Sequence, residues 1–321
     1  MTRPLAHRIA VATLAVGCAV LPVAVASAQT GAQAPAKAAR AAKLAAPKAA
    51  AATACASCVP DTLGRIRAQR RINVAFSGDS RPFSFVGPDR QPAGYSIDLC
   101  RRVIAEIGRA AGVPDLGVGW IVGTAQERVA MVASGKAELD CANTTATQAR
   151  MVDVDFSNLV FVDAGGFLVR ADAPLQRIAD LAGRRIGVIG GTTTEARLAA
   201  ALKDRRIEAR ITTLRDGTEG VAMLESGSLD AFASDKIKLV GLAAQGKSPG
   251  ALALLAEDLS YEPLAFALPR GDSAFRLVVN RALTQVYASG EIDRIFEQWL
   301  GTLGRPSTLL SATYLLNAIP E

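Results

Sequence analysis

The sequence predicts an α/β protein of two lobes, with mainly parallel sheets flanked by helices and a two-strand hinge. From about residue 70, short apolar runs alternate with segments of helical period, as in strands covered by helices. The alternation runs through twice, in two sets of roughly a hundred residues, the size of an ordinary domain. No polar linker separates the sets around 155–170, and extended segments carry the chain across.

The first set opens with a strand over 72–76. Apolar residues at 97, 99, 103, 104 and 107 form a helical stripe over 96–111, with Ser96 as its N-cap. A strand follows over 118–122; Thr124 then caps a helix to Ser134, which Gly135 ends. Residues 139–142 read as a strand, and 156–161 and 167–170 as two extended runs.

The second set has a strand over 185–189, after which Gly190, Gly191, Thr192 and Thr193 open a helix through Leu202. Strands over 211–214, 231–234 and 251–255 alternate with helices over 218–226 and 235–244. The run 263–268 is a return crossing, so the closing helices 273–288 and 291–300 rejoin the first lobe. Lobe 1 then comprises 61–164 and 266–304, lobe 2 comprises 165–265, and 305–321 is a tail. The apolar part of that tail, 309–319, is too short to span a membrane and contains Ser311, Thr313 and Asn317. A cleft forms where the carboxyl ends of the two sets of strands face each other.

The amino terminus predicts export. Arg3 and Arg8 precede an apolar run over 9–25, which exits through Ala26-Ser27-Ala28, the pattern of a cleaved signal peptide over 1–28. Pro22 and the short apolar core argue against a membrane anchor. Lipid attachment at Cys18 lacks the leucine usual three positions upstream. Residues 29–60, rich in Ala, Pro and Lys, read as a linker. The product is expected in the periplasm.

Composition removes whole classes of chemistry. Residues 1–60 hold six Lys and Arg and no acid; taking them from the chain's 36 basic residues leaves 30 against 30 acidic ones in the body. Nothing there presents the basic face that nucleic acid requires. The single histidine, His7, lies in the signal peptide, so histidine-based triads, general bases and zinc sites are absent from the exported part. Neither a metal nor another cofactor is implied. Four cysteines remain: Cys55, Cys58, Cys100 and Cys141. The export compartment favours pairing, and Cys100 on a helix with Cys141 on a strand suits a buried disulfide. Cys55 and Cys58 have CxxC spacing but lack the strand–helix context of a redox site, and the connectivity of the four stays open.

Several short stretches together resemble solute-binding protein family 3, the polar amino acid receptors of bacterial ABC uptake systems. They are Arg81-Pro82-Phe83-Ser84-Phe85, Gly94-Tyr95-Ser96-Ile97-Asp98-Leu99, Cys141-Ala142-Asn143-Thr144-Thr145 with Arg150, Phe156-Ser157, Gly191-Thr192-Thr193, Leu224-Glu225-Ser226-Gly227, and Ser289-Gly290-Glu291 leading to Trp299. The resemblance covers roughly 70–302 and within the family is strongest to the glutamate/aspartate-binding proteins. It implies the type II periplasmic binding protein fold. It also implies a monomer that captures a polar amino acid and delivers it to an ABC transporter permease in the inner membrane.

The resemblance also assigns residues. Arg150 and Thr145 match the pair that holds the ligand α-carboxylate, as a guanidinium suits a planar carboxylate. Thr192 and Thr193 match the helix start that meets the same group. Asp235 matches the carboxylate that holds the α-ammonium, and Asn143 matches a residue offering its backbone carbonyl there. Arg128 matches an arginine that grips a distal carboxylate. The chain departs from that pattern at Ser77, where a second arginine stands in the glutamate/aspartate binders, at Ala125 for a serine, and at Gly217 for a histidine. An alternative within the resemblance is a periplasmic dehydratase of the cyclohexadienyl type, which needs a general acid in the cleft; Glu195 and Glu262 are its candidates by position. A third class, a fused sensory module, is disfavoured because no membrane helix follows the lobes.

Overall fold

The structure, a computed structural model, describes residues 61–320. The expected signal peptide and linker, with Cys18, Cys55 and Cys58, lie outside the described residues. Helix α1 (Thr62–Gln69) starts at Asp61, whose carboxylate accepts the Gly64 N–H at 2.8 Å. Strand β1 (Arg71–Phe76) is mostly buried and leads into a small antiparallel sheet of β2 (Asp79–Ser80), β3 (Ser84–Val86) and β4 (Pro92–Ala93). Strands of two or three residues carry no readable alternation, so this sheet left no trace in the sequence pattern.

Helix α2 (Tyr95–Ala111) buries the predicted stripe, but Ser96 is not its cap. Gly94 holds the N-cap position with φ +127°, a conformation glycine adopts without strain. A Cβ there would stand 2.2 Å from the Phe83 carbonyl oxygen. The chain must turn where only glycine fits, which puts Ser96 inside the first turn, its Oγ buried and without a partner among the described residues. After β5 (Gly117–Val122), Thr124 caps α3 (Ala125–Ala133) as the sequence predicts, and Glu127 completes a capping box with it.

Strand β6 (Leu139–Asp140) is shorter than the predicted run, because Cys141 already leaves the ladder. Residues 156–161 and 167–170 belong to one strand, β7 (Val154–Arg170). Asp163, Gly165 and Gly166 break the apolar pattern without breaking the backbone pairing. The chain continues through β8 (Arg185–Ile189), α4 (Thr193–Asp204), β9 (Arg210–Leu214), α5 (Gly217–Glu225), β10 (Ala231–Asp235), α6 (Lys236–Ala243) and β11 (Leu252–Leu254). Strand β12 (Ser260–Pro269) returns antiparallel to β7, and α7 (Ser273–Ala288) and α8 (Glu291–Leu300) follow.

The strands run in the order β5-β1-β6-β12-β7-β10-β8-β9. Pairs toward both edges are parallel, and the antiparallel pairs gather on β7 and β12. Apolar cores lie on either side of that central pair. One is built on α2, α7 and α8 around Tyr95, Phe83 and Phe275. Others are built on β8, β10 and α4–α6 around Phe167, Ile186 and Phe232.

The predicted tail is not a loose end. Residues Thr308–Asn317 form helix α9, with Leu310 and Tyr314 in the first core. The Tyr314 hydroxyl lies 2.7 Å from that of Tyr95, which donates to the Val160 carbonyl of β7 at 2.8 Å. Cys100 on α2 is bonded to Cys141 just beyond β6, as the sequence suggests.

Candidate functional site

A cavity of about 410 Å³ opens where the carboxyl ends of the strands meet. Each residue assigned by resemblance lines it: Ser77, Arg128, Asn143, Thr145 and Arg150 from the first half of the chain, Thr192, Thr193 and Asp235 from the second. Backbone pairing explains how they come together. Beyond β6 the chain runs alongside β12, with Ala265 N–H donating to Thr144 O and Ala146 N–H to Pro263 O. That extension fixes Thr145, and the 3-10 turn Arg150–Val152 folds back so that Arg150 Nη1 donates to Thr145 O at 2.8 Å.

Arg150 is one of the cations that line the site. Among the described residues no carboxylate lies within 4.0 Å of its guanidinium. Burial pulls its pKa below the ordinary arginine value, against the pull of the Asp140 carboxylate. A partly buried guanidinium without an anion is a group awaiting one. The first turn of α4 borders the same space through Thr192, Thr193 and Thr194, adding the positive end of a helix. Thr192 Oγ1 is spent on its cap: it accepts the Glu195 N–H and donates to Ile189 O. Thr193 Oγ1 reaches across to Thr145 Oγ1 at 3.3 Å and donates to Glu262 at 3.1 Å.

Asp235 ends β10 and is buried. Burial, helped by the nearby Glu262 carboxylate, pushes its pKa up to about 6, although the Asn143 amide pulls the other way. Asp163 behind it is raised well above the usual carboxylate range by burial and by Asp235, although it accepts the Ala164 and Ile237 N–H groups. Such a crowded acidic end suits an ammonium. Asn143 acts here through its side chain, not only through the expected carbonyl: Nδ2 donates to Asp235 Oδ2 at 2.7 Å.

Arg128 does line the cavity, but its guanidinium is already engaged. Nε donates to the fully buried Asp140 at 2.9 Å, Nη2 to Thr144 Oγ1 and Nη1 to Gly123 O. Ser77 does not face the cavity as a free hydroxyl either; it donates to Asp79 and touches Ser80. Gly217 has a steric reason to lack a side chain, since a Cβ there would fall 2.4 Å from Leu242 Cδ1. Its N–H instead donates to Asp79 Oδ2 at 3.0 Å.

Glu195 and Glu262, the candidate acids, are not among the residues lining the cavity. Glu195 accepts the Gly191 N–H, and Glu262 accepts the hydroxyls of Thr145, Thr193 and Ser260. Among the lining residues that the sequence reading missed are Asp79 and Lys238, which pair at 3.2 Å. Lys238 sits three residues beyond Asp235, in the first turn of the helix that Asp235 precedes, and that spacing was the available signal.

Comparison with known proteins places the chain in a family. Residues 72–302 match the family model of bacterial extracellular solute-binding proteins, family 3. An L-glutamate/L-aspartate-binding protein of Pseudomonas aeruginosa is 33% identical over 239 residues, 74% of this chain and 79% of that protein. The glutamate/aspartate import solute-binding protein of Escherichia coli is 29% identical over 238 residues, with the same coverage of 74% and 79%. Among solved structures, an ancestral amino acid-binding protein described as a precursor of cyclohexadienyl dehydratase superposes with a TM-score of 0.63 at 28% identity. That match covers 74% of this chain and 99% of the other.

Proposed function

The chain belongs to the bacterial extracellular solute-binding proteins, family 3, and on that premise we propose that it captures a polar α-amino acid of the glutamate/aspartate type in the periplasm for an ABC importer. The observation that carries the reading is Arg150, a cavity-lining guanidinium with no carboxylate partner among the described residues, set between the start of α4 and the carboxylate of Asp235. Arg150, Thr145 and the first turn of α4 take the ligand's α-carboxylate. Asp235, with Asn143 beside it, takes the ammonium.

Residues 61–164 with 266–304 act as one lobe and 165–265 as the other, bending about β7 and β12. Contacts already cross between them at Asn143–Asp235, Thr145–Thr193 and Asp79–Lys238. A ligand bridging the lobes favours this closed arrangement over an open one, and only that difference in affinity can shift the balance. The closed monomer is the shape offered to the permease. Residues 1–28 direct export, and no helix among the described residues is long and apolar enough to cross a membrane. Capture without turnover suits a cleft whose candidate acids are both engaged: Glu195 accepts the Gly191 N–H, and Glu262 accepts the hydroxyls of Thr145 and Thr193 at the cavity wall.

Thermal shift of the exported protein, freed of residues 1–28, against the common amino acids and small dicarboxylates tests the reading. Ligand at about a hundred times its Kd adds roughly 2.7 kcal/mol of stability. A shift with glutamate or aspartate is the expected result. No shift with any amino acid, after unfolding and refolding to remove carried ligand, overturns it.

A further inference from the structure

We infer that Lys238 reads the ligand's side chain, donating to a terminal oxygen of a carboxylate or carboxamide and disfavouring a terminal cation. The inference rests on the capture reading and deepens it. Its starting point is an imbalance of donors. The Lys238 side chain is only 8% exposed, yet it forms part of the cavity wall. Its ammonium carries three N–H donors and meets one group, the Asp79 carboxylate, at 3.2 and 3.3 Å. No other acceptor lies within hydrogen-bonding distance among the described residues.

Asp79 does not depend on Lys238 alone. Burial by itself would raise its pKa, but the Lys238 charge, the Gly217 N–H and the Ser77 hydroxyl outweigh burial and hold it below the ordinary value. Two of those three partners remain if Lys238 turns part of its donor capacity to a ligand. The position of Lys238 adds to the case. It sits in the first turn of α6, where the helix dipole disfavours a cation. A buried ammonium at that place needs anionic company, and the cavity is where more can come from.

The other cations of the cavity are less suited. Arg150 belongs to the α-carboxylate end. Arg128 is neutralised by the fully buried Asp140. Arg215 is exposed and pairs with Glu219. Lys238 is therefore the cation that stands in for the distal groups missing at Ser77 and Gly217.

Calorimetric titration of the exported protein with L-glutamate and with L-norvaline, which has the same carbon skeleton and no terminal oxygen, tests this. Lys238→Met is expected to weaken glutamate by about tenfold or more while leaving norvaline nearly unchanged, the loss of a charge-assisted bond. Lys238→Arg should restore most of the difference. Equal losses for both probes would overturn the inference and make Lys238 a tie between lobes only; no loss would overturn it as well. Should Lys238→Met fail to fold, Asp79→Asn gives a second measure. Freeing Lys238 from its anion should raise the preference for glutamate over norvaline, and an unchanged or reduced preference overturns the inference. Wild-type protein that binds neither probe nor any other amino acid would instead sink the capture reading itself.

Discussion

The side-chain amide of Asn143 donates to Oδ2 of Asp235 at 2.7 Å, linking the segment after β6 to the end of β10. Asp235 has no other donor among the described residues. Its second oxygen stays available to an ammonium. The contact also orients the carboxylate, so the proposed ligand ammonium would meet an acceptor that is already aimed.

Arg150→Ala should abolish binding of every α-amino acid the protein takes. Removing one partner of a buried, hydrogen-bonded charge pair costs about 2–5 kcal/mol. Calorimetry reads the loss directly; affinity within about threefold of wild type would show that another group holds the α-carboxylate.

Arg128→Ala should act on stability before it acts on selectivity. The substitution strands Asp140, which is fully buried and loses its 2.9 Å ion pair. An uncompensated buried charge costs about 3–5 kcal/mol. Thermal unfolding should show a large drop in Tm, and adding Asp140→Asn should recover part of it. An unchanged Tm together with selective loss of acidic ligands would place Arg128 at the distal carboxylate instead.

Gly241→Ala should separate closure from folding. Gly241 lies on α6, and a Cβ there would stand 2.5 Å from the Arg81 carbonyl oxygen, which belongs to the other proposed lobe. Alanine is favoured over glycine inside a helix by about 1 kcal/mol, so the open protein tolerates it. The methyl acts as a wedge between lobes. Ligand affinity should fall while the Tm of the ligand-free protein holds or rises; loss of both would mark Gly241 as a packing position.

Binding should strengthen as pH rises through about 6, the value to which Asp235 is raised. An acid raised in the folded state contributes stability that is complete below its unfolded pKa and lost as pH climbs through the folded one. The ligand-free protein should therefore lose stability over that interval, and Asp235→Asn should flatten the loss. An arriving ammonium favours the ionised carboxylate, so binding below the transition releases a proton. Titrations in buffers of different ionisation heat would measure it, and no proton release would contradict the assignment of the ammonium to Asp235.

Regular, local features were legible from the chain. The stripe 97–107, the Thr124 cap and the Gly-Gly-Thr-Thr helix start each follow from short-range pattern, and each stands where expected. Features set by distant contacts were not legible. Gly94 displaces Ser96 as the cap because the Phe83 carbonyl lies against it. Helix α9 looked like a loose apolar tail because Leu309, Leu315 and Leu316 face outward and blur its stripe. In the site, motif order brought Arg150, Thr145 and Asp235 to one cavity. Pairing decides the state of the rest: Arg128 with Asp140 and Lys238 with Asp79 are partnerships between elements, which no single segment encodes, while Ser77 is engaged by Asp79 only two residues on.

The bond between Cys100 and Cys141 closes a loop with a sequence separation of 41, and Asn143, Thr144 and Thr145 follow directly on its second cysteine. Constraining a loop of that length stabilises the folded chain by about 4 kcal/mol in the chain-entropy account. The same polypeptide is thus two materials in two redox states. With the cysteines reduced, residues 143–145 keep their backbone bonds to β12, the Asn143–Asp235 contact and their packing but lose the covalent tie, which would leave a chain bound for the proposed export easier to keep unfolded. Once oxidised it is stapled to α2, so recombinant material made without an oxidising step would be expected to misreport both the affinity and the melting point of the oxidised form.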